Sequence, residues 1–196
     1  MKKTWIILGA IALVLFLAYS SIKGTYNKMV VADEAATGAW SQVENVYQRR
    51  ADLIPNLVNT VKGYADFEKE TLTGVIEARS KATGVTIDPS NITPEALAQF
   101  QQAQSGLSSA LSKLMVVVER YPDLKANQSF LQLQSQLEGT ENRIAVERRK
   151  FNEIIQTYNT MIKKFPTTFY AGLFGFEKKG YFEADAGAEK VPEVQF

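Results

Sequence analysis

The chain has no cysteine and no histidine among its 196 residues. Without thiolates and imidazoles there can be no disulfide, no thiolate nucleophile, no zinc site built on soft or His ligands, and no Ser-His or Cys-His pair. These two absences argue against an enzyme. Charge of one sign is lacking too: 22 basic side chains stand against 21 acidic ones, a formal charge of +1. A chain without a net field is not built to bind nucleic acid or another acidic polymer.

What is present begins with an uncharged run. Thr4 to Ile22, between Lys3 and Lys23, is dominated by Ile, Leu, Val, Ala and Phe, enough to cross a hydrocarbon core of ~30 Å at ~1.5 Å per residue. Trp5 and Tyr19 sit near its two ends, where amphipathic rings favour the headgroup level. A cleaved signal peptide is the alternative, with Ala18 and Ser20 as small residues near a cut. The run exceeds the usual apolar length of such peptides and continues into helix-compatible sequence, so retention as a single-pass anchor in membrane lipid, residues 1–27, is expected. Lys2, Lys3 and the free amine outweigh Lys23 and Lys28 by one charge. The positive-inside bias then puts the N-terminus in the cytoplasm and the rest of the chain outside it.

About 170 residues remain, one domain's worth of chain. Apolar residues recur at helical spacing from residue 28 to about 82, with Trp40, Val43, Tyr47, Ile54, Leu57, Val61 and Tyr64 on one stripe interrupted only by Arg50. This predicts one long helix, bent at Pro55, where the bond to residue i−4 is lost. Thr83 to Thr93 is turn chemistry; Thr93 as N-cap, Pro94 at N1 and Glu95 then open a second helix, 94–121, on Leu97, Phe100, Gln104, Leu107, Leu111, Leu114 and Val118. After Pro122 a third helix is expected over about 127–165, where Phe130, Leu137, Ile144, Phe151, Tyr158 and Phe165 recur every seventh residue. The fold class is therefore all-α: a transmembrane helix, then a long antiparallel bundle of three main helices, 28–165. The Gly-rich, aromatic tail, 166–196, is too aromatic for a solvated linker and is expected to pack on the bundle.

Four stretches stand out in order: Arg49-Arg50-Ala51-Asp52-Leu53-Ile54-Pro55-Asn56-Leu57-Val58 with Gly63-Tyr64-Ala65, then Val117-Val118-Glu119-Arg120-Tyr121-Pro122-Asp123-Leu124-Lys125-Ala126-Asn127, Gly139-Thr140-Glu141-Asn142-Arg143-Ile144-Ala145 and Tyr158-Asn159. Together they resemble the LemA family. The resemblance runs over essentially the whole chain. It implies a bacterial membrane-anchored helical bundle in a family with no established catalytic residues, some members of which are associated with magnetosome membranes and others encoded near membrane proteases. It also implies a cytoplasmic bundle, the reverse of the charge count, which places the bundle extracytoplasmically.

Two groups of residues are candidates for function. The second helix is too short to run back past Pro55, which leaves Trp40, Val43, Val46, Tyr47 and Arg50 without a partner in the chain; an exposed stripe of this kind predicts an oligomer interface. The third helix should then carry the tail to the end farthest from the membrane. Gln104 interrupts an apolar seam at the height of Glu68 on the first helix and Glu141 and Arg148 on the third, which predicts a buried polar layer. Asn56, Asn142, Asn152 and Asn159 lie beside seam positions and are expected to pin helices together.

Other constellations are weaker. Asp66, Glu68 and Glu70 read as a solvated face, and no metal or other cofactor is expected. Arg143, Arg148, Arg149 and Lys150 read as helix surface, and Ser105, Ser108, Ser109 and Ser112 lack the geometry to pair with Lys113. The functional expectation is a homo-oligomeric scaffold that organises or shapes the bacterial envelope, partnered by lipid and by itself. The alternative is an adaptor or regulator of a membrane-bound protease.

Overall fold

The computed structural model describes residues 2–63 and 69–184. Six helices account for most of them, and there is no strand among the described residues: α1 (Lys2–Lys62), α2 (Lys69–Gly84), α3 (Pro94–Val118), α4 (Pro122–Lys125), α5 (Gln128–Lys163) and α6 (Thr167–Phe174). Anchor and first bundle helix are one element of 61 residues, ~92 Å long at ~1.5 Å per residue.

The expected helix 28–82 does not exist as one piece. Pro55 sits inside α1 without ending it; α1 ends at Lys62, Gly63 is in a turn, and α2 begins at Lys69. The proline is tolerated because its cost is met. Pro55 has no N–H for the carbonyl of Ala51, and the Nε of Arg79 on α2 donates to that carbonyl at 2.8 Å. Gly63 supplies the weak point, since glycine loses more backbone entropy in a helix than any other residue. Tyr64 lies outside the described residues.

This break adds a helix and reverses every later direction. α1 leads away from the anchor, α2 returns, α3 leads away again, and α5 runs back along α1. Trp40 faces Phe151 and Arg50 faces Glu141 across that antiparallel pair, and α5, at 36 residues, is ~54 Å long and reaches Met29 with Tyr158 and Ile162. The tail is therefore carried to the end of the bundle nearest the anchor, not to the far end as the three-helix count required.

The apolar stripes form the core. In α1, Trp40, Val43, Tyr47, Ile54, Leu57 and Val61 are buried; in α3, Leu97, Phe100, Leu107, Leu114 and Val118; in α5, Phe130, Leu137, Ile144, Phe151 and Tyr158. Each large side chain removed from water contributes ~1.5–3 kcal/mol before entropy is counted. Helix ends are set by caps: the Thr93 hydroxyl accepts from Ala96 N with Pro94 at N1, and the Asn127 side chain accepts from Phe130 N at 3.1 Å. Gly175 ends α6 in the left-handed region, at φ 77°, where a Cβ is strained.

Candidate functional site

Arg50, on α1, is a buried charge inside the bundle, with 3% of its side chain exposed. Its Nη1 donates to Glu141 Oε2 at 2.9 Å and to Ser108 Oγ at 3.0 Å, and its Nη2 donates to Gln104 Oε1 at 2.7 Å. The guanidinium also lies 5.1 Å from the Tyr47 ring centroid. Gln104 Nε2 donates in turn to the carbonyl of Ala82, one of the last four in α2 and without a partner inside that helix. Arg50, Gln104, Ser108 and Glu141 line a small cleft of about 60 Å³ that Arg148 also borders.

The sequence candidates thus fall into different places. Gln104 and Glu141 meet at one height, but they meet on Arg50. Arg148 Nη2 donates to the carbonyl of Glu183 at 2.8 Å, and its guanidinium stacks over Phe182. Glu68 lies outside the described residues, as does Asp66. The oligomer stripe is corrected outright: Trp40 and Val43 are fully buried, Tyr47 and Arg50 nearly so, and Val46 packs beside them. Helix α5, running back from the far end, covers this stripe within the chain and leaves Trp40, Val43, Tyr47 and Arg50 almost no surface for a neighbour, with Val46 half-buried at its edge.

The segment after α6 is a strap held by amides. Asn159 Oδ1 accepts from Lys179 N at 3.0 Å while its Nδ2 donates to Lys179 O at 2.9 Å. Asn152 does the same to Phe182, at 2.9 Å in both directions, and Gln101 does so to Glu183. Asn152 and Asn159 therefore pin the tail, not a second helix. Phe182 fills the space among Trp40, Phe100 and Phe151, with ring centroids 6.2 Å from Trp40 and 5.4 Å from Phe151. Gly180 passes so close to α3 that a Cβ there would sit 2.8 Å from Pro94 Cα. The buried Lys179 ammonium is neutralised by Asp33 at 3.0 Å and donates to Ser90 O at 3.2 Å, tying the strap to α1 and to the loop before α3. Tyr158, beneath it, donates to Glu177 O at 3.0 Å. Burial and then the Asp33 carboxylate hold its phenol well above the ordinary value.

At the anchor end every side chain from residue 3 to residue 21 is exposed. Ile, Leu, Val and Phe in such a run have no cover within the chain, and α1 is the one helix among the described residues long and apolar enough to cross a membrane. Phe174 and Phe176 pack edge-on against Tyr26, at 5.0 and 5.9 Å between centroids, just beyond that run.

An apolar helix continuous with an antiparallel bundle, whose polar interior is spent on holding itself together, defines a membrane-associated helical-bundle protein. The chain belongs to the LemA family, whose model matches residues 39–196. It is similar to magnetosome protein MamQ 2 of Paramagnetospirillum magneticum, 27% identical over 196 residues that cover 90% of this chain and 71% of that protein. Magnetosome protein MamQ of Magnetospirillum gryphiswaldense is 29% identical over 182 residues, 83% of this chain and 66% of its own length. Protein LemA of Metamycoplasma hominis is 26% identical over 161 residues, 82% and 70%.

Proposed function

We propose that this protein is a non-enzymatic, single-pass membrane scaffold that self-associates and organises or shapes the bacterial envelope, with its bundle on the extracytoplasmic side. The observation that carries this reading is the continuity of α1. The uncharged run, ~28 Å of helix, passes without a linker into ~60 Å of helix, most of it backed by α5. A bundle mounted this way inherits the position and tilt of its anchor, as a scaffold requires and a flexible tether does not. The similar relatives named as magnetosome proteins support a role in organising membranes.

The size of detergent-solubilised particles, read together with a membrane pulldown, tests the proposal. Large particles made of this chain are expected. A monomer recovered with a stoichiometric protease refutes the scaffold and favours the adaptor. For the side of the bundle, a cysteine at the exposed Lys81 (Lys81→Cys) should react with impermeant reagents in intact spheroplasts. Protection there reverses the orientation.

A further inference from the structure

Helix α6 carries an apolar face that nothing among the described residues covers. Ala171 and Tyr170 turn inward onto Met29, Tyr158 and Ile162, while Phe169 and Leu173, one turn apart, are 70% and 69% exposed. Phe165, just ahead of them, is 87% exposed. It continues the heptad series of α5, all of whose earlier members are buried, yet it lies past the last residue of that helix and is turned outward.

The height of this face matters. Phe174 rests on Tyr26, four residues beyond Ile22, where the uncharged run ends. At ~1.5 Å per residue this is ~6 Å above the hydrocarbon edge, within a headgroup layer of ~5–7 Å per leaflet. An amphipathic helix lies at that depth. The surrounding charge fits: Lys163 and Lys164 directly precede Phe165, Lys23 and Lys28 flank Tyr26 on α1, and all four are exposed. Of the nearby acids, Asp33 is taken by Lys179, which leaves Glu34 and Glu177 against the four lysines.

We propose that α6 together with Phe165 is a second membrane contact. It lies in the headgroup layer of the leaflet from which the bundle emerges, with Phe165, Phe169 and Leu173 toward the acyl chains and the lysines on anionic headgroups. The proposal rests on the reading of residues 4–22 as a membrane span, because that span brings the face to the lipid. Two contacts on one rigid body would fix the tilt of the bundle, which a single helix leaves free.

The absence of cysteine allows single probes in the full chain. An environment-sensitive fluorophore is placed at Phe169→Cys, at Leu173→Cys, at Ile11→Cys in the anchor and at Lys125→Cys at the far end, all exposed positions. Each variant is reconstituted in phosphatidylcholine–phosphatidylglycerol vesicles carrying nitroxide lipids labelled at the headgroup or mid-chain. The Ile11 probe should be quenched by the deep label. Both α6 probes should be quenched by the shallow label, several-fold more than the Lys125 probe. Quenching at Ile11 with α6 probes that behave like Lys125 overturns the second contact and leaves the anchor standing. No quenching at Ile11 overturns the anchor, and the second contact with it. Blue-shifted α6 probes that lipid labels do not quench mean that a second copy covers the face, which also overturns the proposal.

Discussion

Replacing Arg50 and its partners by apolar side chains measures what the polar layer of the bundle contributes, and the structure sets the order of the effects. Arg50→Met keeps most of the stem volume and removes a charge whose burial costs several kcal/mol. It also strips Gln104 Oε1 of its donor, and that oxygen cannot be rescued by an amide flip, because Nε2 is committed to the Ala82 carbonyl. An orphaned buried acceptor costs ~1–3 kcal/mol, so Arg50→Met should destabilise by about 2 kcal/mol. Gln104→Leu should cost about as much, since it orphans the Ala82 carbonyl and leaves Arg50 Nη2 only its longer bond, 3.3 Å, to the main-chain carbonyl of residue 104. The double variant leaves the Ala82 carbonyl unpaired, while Ser108 keeps its bond to the carbonyl of residue 104 and the exposed Glu141 carboxylate turns to solvent. It should therefore lie well below the sum of the singles, with a coupling of about 1.5–2 kcal/mol. Glu141 differs because 58% of its side chain is exposed. Solvent screens that pair, and Glu141→Gln should couple to Arg50→Met by only about 0.5–1 kcal/mol.

The assay is urea unfolding of the detergent-solubilised chain, followed by far-UV circular dichroism and by Trp40 fluorescence in a Trp5→Phe background, which leaves Trp40 as the single tryptophan. The reasoning fails if the Glu141 coupling equals or exceeds that of Gln104, because the carboxylate would then be the principal partner. It also fails if Arg50→Met is neutral.

Trp40 is fully buried with an Nε1 that has no partner among the described residues. Trp40→Phe sheds that unpaired N–H as it loses volume and should cost about 1 kcal/mol or less, whereas Trp40→Ala should cost about 3–5 kcal/mol in the same assay. Gly180→Ala drives a methyl into the Pro94 backbone; the strap should lift, at a cost of about 1–3 kcal/mol, and limited proteolysis should cut it faster. Tyr158 has a raised folded-state pKa. Above its unfolded value of ~10 the unfolded chain loses the proton that the folded chain keeps, so stability is full below that pH and falls as pH rises toward the folded value. Tyr158→Phe should lower stability at neutral pH by about 1 kcal/mol through the lost bond to Glu177 O, and should flatten the alkaline decline seen in melts.

Most buried positions are readable from period alone, and one misreading, the missed break after Lys62, changes the architecture. The stripes on α1, α3 and α5 predict the buried residues almost one for one, because a 3.6-residue period leaves little freedom once a helix is assumed. Direction is another matter. Pro55 and Gly63 are both breaking signals eight residues apart, and propensity favours the proline by ~3 kcal/mol against ~1 kcal/mol. The proline nevertheless stays inside α1, because Arg79, a residue with no local mark of importance, reaches across from α2 to the freed Ala51 carbonyl. That compensation is tertiary and invisible along the chain. With one turn overlooked, the count of helices changes parity, α5 points the wrong way, and a covered stripe is mistaken for a bare one.

The strap, too, has a signature in the sequence. Asn152 and Asn159 are seven residues apart on a helix, a rise of ~10.5 Å at ~1.5 Å per residue. Lys179 and Phe182 are three apart in an extended chain, ~10 Å at ~3.3 Å per residue. The two spacings match, so two amides on one face of α5 can each close a pair of hydrogen bonds on one extended segment, as they do. A primary amide carries a donor and an acceptor side by side, which is what a backbone residue offers in return; an inter-helix pin has no use for both, because helical backbone groups are already paired. Asparagines at heptad spacing, followed by a tail with aromatic residues at short intervals, therefore argue for a docked extended segment in preference to a third seam. The missing element was the partner's position. Only after α5 is known to run toward the anchor does the tail begin at the height of Tyr26 and pass Asn159 before Asn152, the order in which the chain delivers Lys179 and Phe182.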